Sequence, residues 1–233
     1  MPSSLKRTLR EAFIATTPVM AGYIVLGMGF GVLLSTKGYA PLWALAMSGF
    51  IYAGSMQYLT IDLLTGGASL ITAALTTLLV NARHLFYGIS MVEGYRGMGK
   101  RKPYAIFALT DETYSLVCQD EHPDRDSFHR YAFRVSLFNQ LWWVTGSMIG
   151  SLLGEIIPFD VTGIDFALTA LFLTVFIEQW LSTKDHASAV IGVAASVICL
   201  LLFGADSFLI PAMLSILIVL TVLHHVRKEA AHE

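Results

Sequence analysis

Along the chain, long apolar runs alternate with short polar intervals. The runs occupy residues 18–34, 41–61, 68–92, 135–157, 166–181, 187–203 and 208–223, and a shorter one, "YAIFALTDETYSLVC", fills 104–118. A bilayer-crossing helix needs about 20 mostly apolar residues, so the pattern predicts an all-α integral membrane protein, a polytopic helix bundle. Little length remains for anything else. The longest polar intervals, "EGYRGMGKRK" and "QDEHPDRDSFHR", are predicted loops, and residues 1–233 are read as one membrane-embedded domain.

Charge then orients the bundle, because Lys and Arg collect on the cytoplasmic side. Lys6, Arg7 and Arg10 place the N-terminus inside, and Arg227 and Lys228 place the C-terminus there too, so the crossings must be even in number. Lys184 and the loop with Arg125, Arg130 and Arg134 fall inside, and "GEIIPFDVTGID" falls outside. The segment holding Arg96, Lys100, Arg101 and Lys102 divides the alternatives. If every run spans, including 104–118, there are eight crossings and this basic segment lies outside. If 104–118 stays on the cytoplasmic side and one run between 41 and 92 is broken or re-entrant, six crossings suffice and the segment lies inside. The charge rule favours six. A loose internal echo favours eight: "MGFGVLL", "SGFIYAGSMQYL" and "GGASLITAAL" against "IGSLLGE", "LFLTVFIEQWL" and "DHASAVIGVAA". The basic N-terminus ahead of an apolar run is read as an uncleaved first span, since no small-residue cleavage site closes it.

Gly27 to Gly31 and Gly146 to Gly150 are GxxxG spacings, which let helix backbones approach closely. Gly54, Gly66 and Gly67 bracket the polar-crowded "SMQYLTIDLLT" and predict a helix interrupted there. Irregular backbone at membrane depth is tolerated only where it faces protein or a cavity.

Composition agrees: 55% of residues are hydrophobic and 14% charged, against about 25% charged in soluble domains, with a mean hydropathy of +0.63. The net charge of -2 selects no soluble partner. Because charge at membrane depth is expensive, the few charges inside the runs carry the functional expectations. Arg83 and His84 stand together in "TTLLVNARHLFYGIS", with Asn81 before them and Tyr87 one turn after Arg83 on the same helical face. Arg83 either binds an anionic group or snorkels to the interface. His84 is either a buried neutral histidine or a proton carrier. Asp111 and Glu112 diverge on a helix, and either one can neutralise Arg83; a solvated loop or interfacial helix accounts for the pair equally well. Glu178 with Gln179 reads as interfacial, and Asn139, Gln140, Trp142 and Trp143 read as packing.

No signature of catalysis or metal binding is present: neither HExxH, CxxC, a phosphate-binding Gly-rich loop nor GxSxG occurs. Cys118 and Cys199 are read as small buried hydrophobes. No catalytic residue, metal ligand, cofactor or nucleic-acid partner is expected. The chemistry on offer is binding of a small charged or zwitterionic solute; a passive channel or a solute-sensing membrane component is the alternative.

"YAGSMQYL" at 52–59, "NARHLFYGIS" at 81–90 and "LTDETYSL" at 109–116, supported by Pro18 and "FNQLWWVTGSMIGSLLG", resemble the AzlC-type family, the large permease subunit of branched-chain amino acid exporters. The resemblance covers residues 11–160 and thereafter rests on hydropathy. It implies a multi-pass protein of the bacterial inner membrane that exports valine, leucine, isoleucine and sometimes methionine with a small hydrophobic AzlD-type subunit. A zwitterionic substrate then needs a cation for its carboxylate, an acceptor for its ammonium and an apolar wall. Arg83 is the cation. Ser55, Gln57, Asn81 and Tyr87 join it as substrate-binding candidates, with Met56, Tyr58 and Phe86 as the wall. His84, Asp111 and Glu112 are the candidates for coupling or charge compensation.

Overall fold

The computed structural model describes residues 2–118, 122, 124–156, 185–204 and 208–230, with nine scattered positions from 166 to 183. Among them the regular structure is entirely helical. Two compact units form, Met1–Ala73 with Val80–Leu168, and Ala74–Leu79 with Thr169–Glu233.

The frame of the first unit is a pair of long helices, α1 (Pro2–Thr36) and α8 (Arg125–Ile156). They pack through small residues. A Cβ at Gly27 would stand 2.9 Å from Ser147 N and one at Gly146 2.6 Å from Ile24 O; at Gly31 and Gly150 the clash would be closer still. Phe13 meets Phe138, Thr16 meets Trp142, and Gly154 meets Ser35. The numbers rise together, so the helices are parallel and their basic N-terminal turns share one end. Among the described residues α1 is the one helix long and apolar enough to cross a membrane by itself.

Between them the runs are broken. Residues 41–61 fold as α2 (Pro41–Phe50) and the start of α3 (Gly54–Thr65); 68–92 fold as α4 (Leu70–Val80) and α5 (Ala82–Ser90). Pro41 starts α2 where its missing N–H is harmless. Buried Tyr52, with φ +45°, occupies the left-handed region and turns the chain into α3, a conformation that costs a non-glycine residue about 1–3 kcal/mol. The interruption expected within "SMQYLTIDLLT" is thus corrected: that stretch is itself helical, and the breaks flank it. Its end is a glycine cap, with Gly67 at φ +62° and Ala68 N–H bonded to Leu63 O at 3.0 Å.

The stretch 104–118 is not one helix. α6 (Lys102–Phe107) and α7 (Asp111–Val117) have 6 and 7 residues, or roughly 10 Å each, with a break at 108–110. Arg101 lies over the Phe133 ring at 5.8 Å, so the basic segment 96–102 joins the basic start of α8. Val117, in a cluster with Phe128 and Ala132, returns to the same end. At the break, Ala108 belongs to the cluster around Tyr23 and Trp143, whereas Leu109 belongs to that around Phe128. α6 and α7 therefore run inward from the basic end and back.

Two further expectations need correction. "QDEHPDRDSFHR" is not a loop throughout, because α8 begins at Arg125; Asp124 accepts bonds from the Ser127 N–H and hydroxyl, which hold its carboxyl below the usual range. Cys118 is exposed at the end of α7 and only Cys199 is buried; both are free. In the second unit, helices Ala187–Phe203 and Leu209–Ala230 pair. Glu178, Gln179 and Lys184 lie outside the described residues.

Candidate functional site

Three chain breaks deliver three helical first turns to one place. Ser55 is the second residue of α3, Arg83 the second of α5 and Asp111 the first of α7. Arg83 Nη1 pairs with Asp111 Oδ2, and Nη2 donates to Ser55 Oγ at 3.0 Å. The side chains of Arg83 and Asp111 are 36% and 29% exposed, so the pair is partly shielded and partly accessible. A cation in a helix's first turn meets the positive end of the backbone dipole, an opposition of about 0.3–1 kcal/mol. Arg83 stands in that position, and the carboxylate of α7 compensates it.

The sequence around α7 explains how the carboxylates are held. Thr110 caps the helix, its hydroxyl accepting from Thr113 N–H at 3.2 Å, and Asp111 and Glu112 occupy the first turn, where negative charge is favoured. Adjacent positions diverge, and the two acids take different partners. Glu112 accepts from the Tyr23 hydroxyl at 2.6 Å, and that hydroxyl lies 2.8 Å from Thr110 Oγ1. Asn139 Nδ2 donates to Thr113 Oγ1 at 3.0 Å. One short helix is thereby tied to α5 through Asp111, to α1 through Glu112 and to α8 through Thr113.

One turn beyond the ion pair, Tyr87 of α5 stacks on Tyr114 of α7, centroids 4.7 Å apart and planes 18° from parallel. The rings of His84 and Tyr87 stand near perpendicular, 76° apart, and His84 Nδ1 lies 3.2 Å from Asn81 O. Asn81, the residue before α5, makes no side-chain capping bond. Its Oδ1, Arg83 Nε and Asp111 Oδ1 are buried without hydrogen-bond partners.

Of the sequence candidates, Arg83 is in direct contact with Ser55 and Asp111, with Asn81 just ahead of α5 and His84 and Tyr87 on it. Glu112 adjoins through α7 but turns to Tyr23. Gln57 is directed elsewhere: fully buried, it accepts from Trp143 Nε1 at 2.9 Å and donates to Ser48 Oγ at 3.1 Å. Among the wall candidates, Phe86 is 67% exposed, while Met56 and Tyr58 are core, the Tyr58 hydroxyl donating to Leu26 O at 2.7 Å. Tyr23, Thr110, Thr113 and Tyr114 were not singled out from the sequence, although "TDET" carries a helix-start signature, a Thr cap followed by two acids. Asn139, read there as packing, holds α7 in place. Among the described residues no group of three or more His, Cys, Asp or Glu can hold a metal ion.

The family model described as AzlC protein matches residues 18–157. The chain is 43% identical over 228 residues to the branched-chain amino acid transport protein AzlC of Bacillus subtilis (strain 168), covering 98% of this chain and 90% of that one. It is 39% identical over 214 residues to an uncharacterized membrane protein of Helicobacter pylori (strain ATCC 700392 / 26695), covering 92% and 94%. It is 26% identical over 186 residues to the inner membrane protein YgaZ of Escherichia coli (strain K12), covering 77% and 76%. No solved structure matches.

Proposed function

The chain belongs to the AzlC family, and from that premise we propose that it is the large subunit of a secondary transporter exporting branched-chain amino acids across the bacterial inner membrane. Residues 1–233 form its single permease domain, the transport is ion-coupled, and a small AzlD-type subunit completes it. The observation that carries this reading is the Arg83–Asp111 ion pair, joined by Ser55 at the first turns of three short helices. Half-helix ends at mid-depth are how many secondary transporters hold charged solutes. The substrate carboxylate takes the Nε and Nη2 edge of Arg83, displacing Ser55, while Nη1 stays on Asp111. The stacked Tyr87 and Tyr114, one turn away, line the path of the apolar side chain.

The return of α6–α7 to the basic end favours six crossings over eight. With α1 and α8 running the same way, the chain between them crosses an odd number of times. One of the pairs α2–α3 and α4–α5 then crosses while the other is re-entrant, as is α6–α7. With the three apolar runs after residue 157 the total is six, both termini cytoplasmic and the basic segment 96–102 inside.

Efflux from preloaded vesicles containing both subunits tests the site. Arg83→Gln is expected to insert normally and to lose transport about tenfold or more, the scale of losing a hydrogen bond to a charged group. Arg83→Lys, which keeps the charge without the planar fork, is expected to lose less. Unchanged leucine efflux from Arg83→Gln vesicles would remove the pair from the mechanism.

A further inference from the structure

Asparagine is among the favoured residues at a helix start because its side-chain oxygen accepts an N–H of the first turn. Asn81 holds that position ahead of α5 yet makes no such bond, and its Oδ1 is buried without a donor. Asp111 Oδ1 is in the same condition, since only Oδ2 engages Arg83. On the other side of the charge balance, Arg83 Nε is a buried donor without an acceptor. Buried polar atoms in native proteins are almost always satisfied, and here one donor and one acceptor of the ion pair, and one acceptor on the residue ahead of α5, are not.

Resting on the substrate reading above, we propose that these atoms form a two-pole recognition site for an α-amino acid headgroup. Asn81 Oδ1 and Asp111 Oδ1 accept the ammonium, and Arg83 Nε, with the Nη2 now given to Ser55, donates to the carboxylate. The zwitterion enters the ion pair without leaving either protein charge unmatched. An acid or amine bearing one pole alone leaves one side unpaired, and the site rejects it.

Competition against labelled leucine in vesicles containing both subunits reads this directly, with 4-methyl-2-oxopentanoate as the analogue lacking the ammonium and 3-methylbutan-1-amine as that lacking the carboxylate. In the wild type both analogues are expected to compete about tenfold or more weakly than leucine, the scale of a hydrogen bond to a charged group. Asn81→Ala is expected to weaken leucine about tenfold while leaving 4-methyl-2-oxopentanoate unchanged. Asn81→Asp, which restores an acceptor, is expected to keep leucine and weaken the oxo acid further. Equal weakening of leucine and oxo acid in Asn81→Ala would mark a merely structural asparagine and overturn the subsite. A wild type indifferent to the missing ammonium would overturn it too, while leaving the role of Arg83 intact.

Discussion

The α1–α8 pair and the α3–α5–α7 meeting point are built on opposite principles. The first consists of helices of 35 and 32 residues, in register over their length and touching backbone to backbone through glycine and serine. The second consists of helices of 12, 9 and 7 residues that touch through side chains at their first turns. The long pair has no room to change, because a single added methyl group collides with backbone. The short helices are joined by an ion pair, a few hydroxyl bonds and one ring stack, contacts that can exchange partners with a solute. A rigid pair and exchangeable contacts are thus separated within one unit, the division that the proposed transport calls for.

Substituting the frame should do the most damage. Gly150→Val drives side-chain atoms into the backbone around Met28, and overpacking of this kind costs about 1–3 kcal/mol or more. Thermal unfolding in detergent should show a large loss of stability, whereas a wild-type melting temperature would mean that the helices can separate freely. Gln57→Leu asks which region Gln57 serves. It leaves the buried Trp143 Nε1 without an acceptor, a loss of about 1–3 kcal/mol, and transport per folded molecule should survive. A selective rise in the leucine concentration giving half-maximal transport would move Gln57 into the site. Tyr114→Leu should have the smallest effect on stability, about 0.5–1.5 kcal/mol from the lost ring stack. Its signature is altered preference between leucine and smaller substrates, and unaltered preference would show that the rings line no path.

Much of the frame was legible because its causes are local or periodic. Small residues at four-residue spacing in α1 and α8 announced close approach, whereas Gly54, Gly66 and Gly67, read as the mark of an interrupted helix, bound a continuous one. A broken run between 41 and 92 was expected, but the places of the breaks, at Tyr52 and Asn81, were not legible. Neither is a glycine or proline, and both interruptions persist because surrounding packing holds them. The core around Tyr52 holds a left-handed tyrosine, and α5 is tied to α7 through Arg83 and Tyr87.

By itself the sequence determined that this chain is helical and apolar and that few charges fall inside its apolar runs, Arg83 and the Asp111–Glu112 pair among them, since residue type and spacing suffice for such conclusions. Tertiary structure alone decided which acid meets the arginine. Asp111 and Glu112 are adjacent and chemically alike, so their fates differ only because α7 lies with one edge toward α5 and the other toward Tyr23 of α1. The same holds for Gln57 and Ser55, two residues apart on α3, one locked into the frame and the other bonded to the guanidinium. A helix rotates successive side chains by about 100°, and what waits in each direction is a property of the packed molecule.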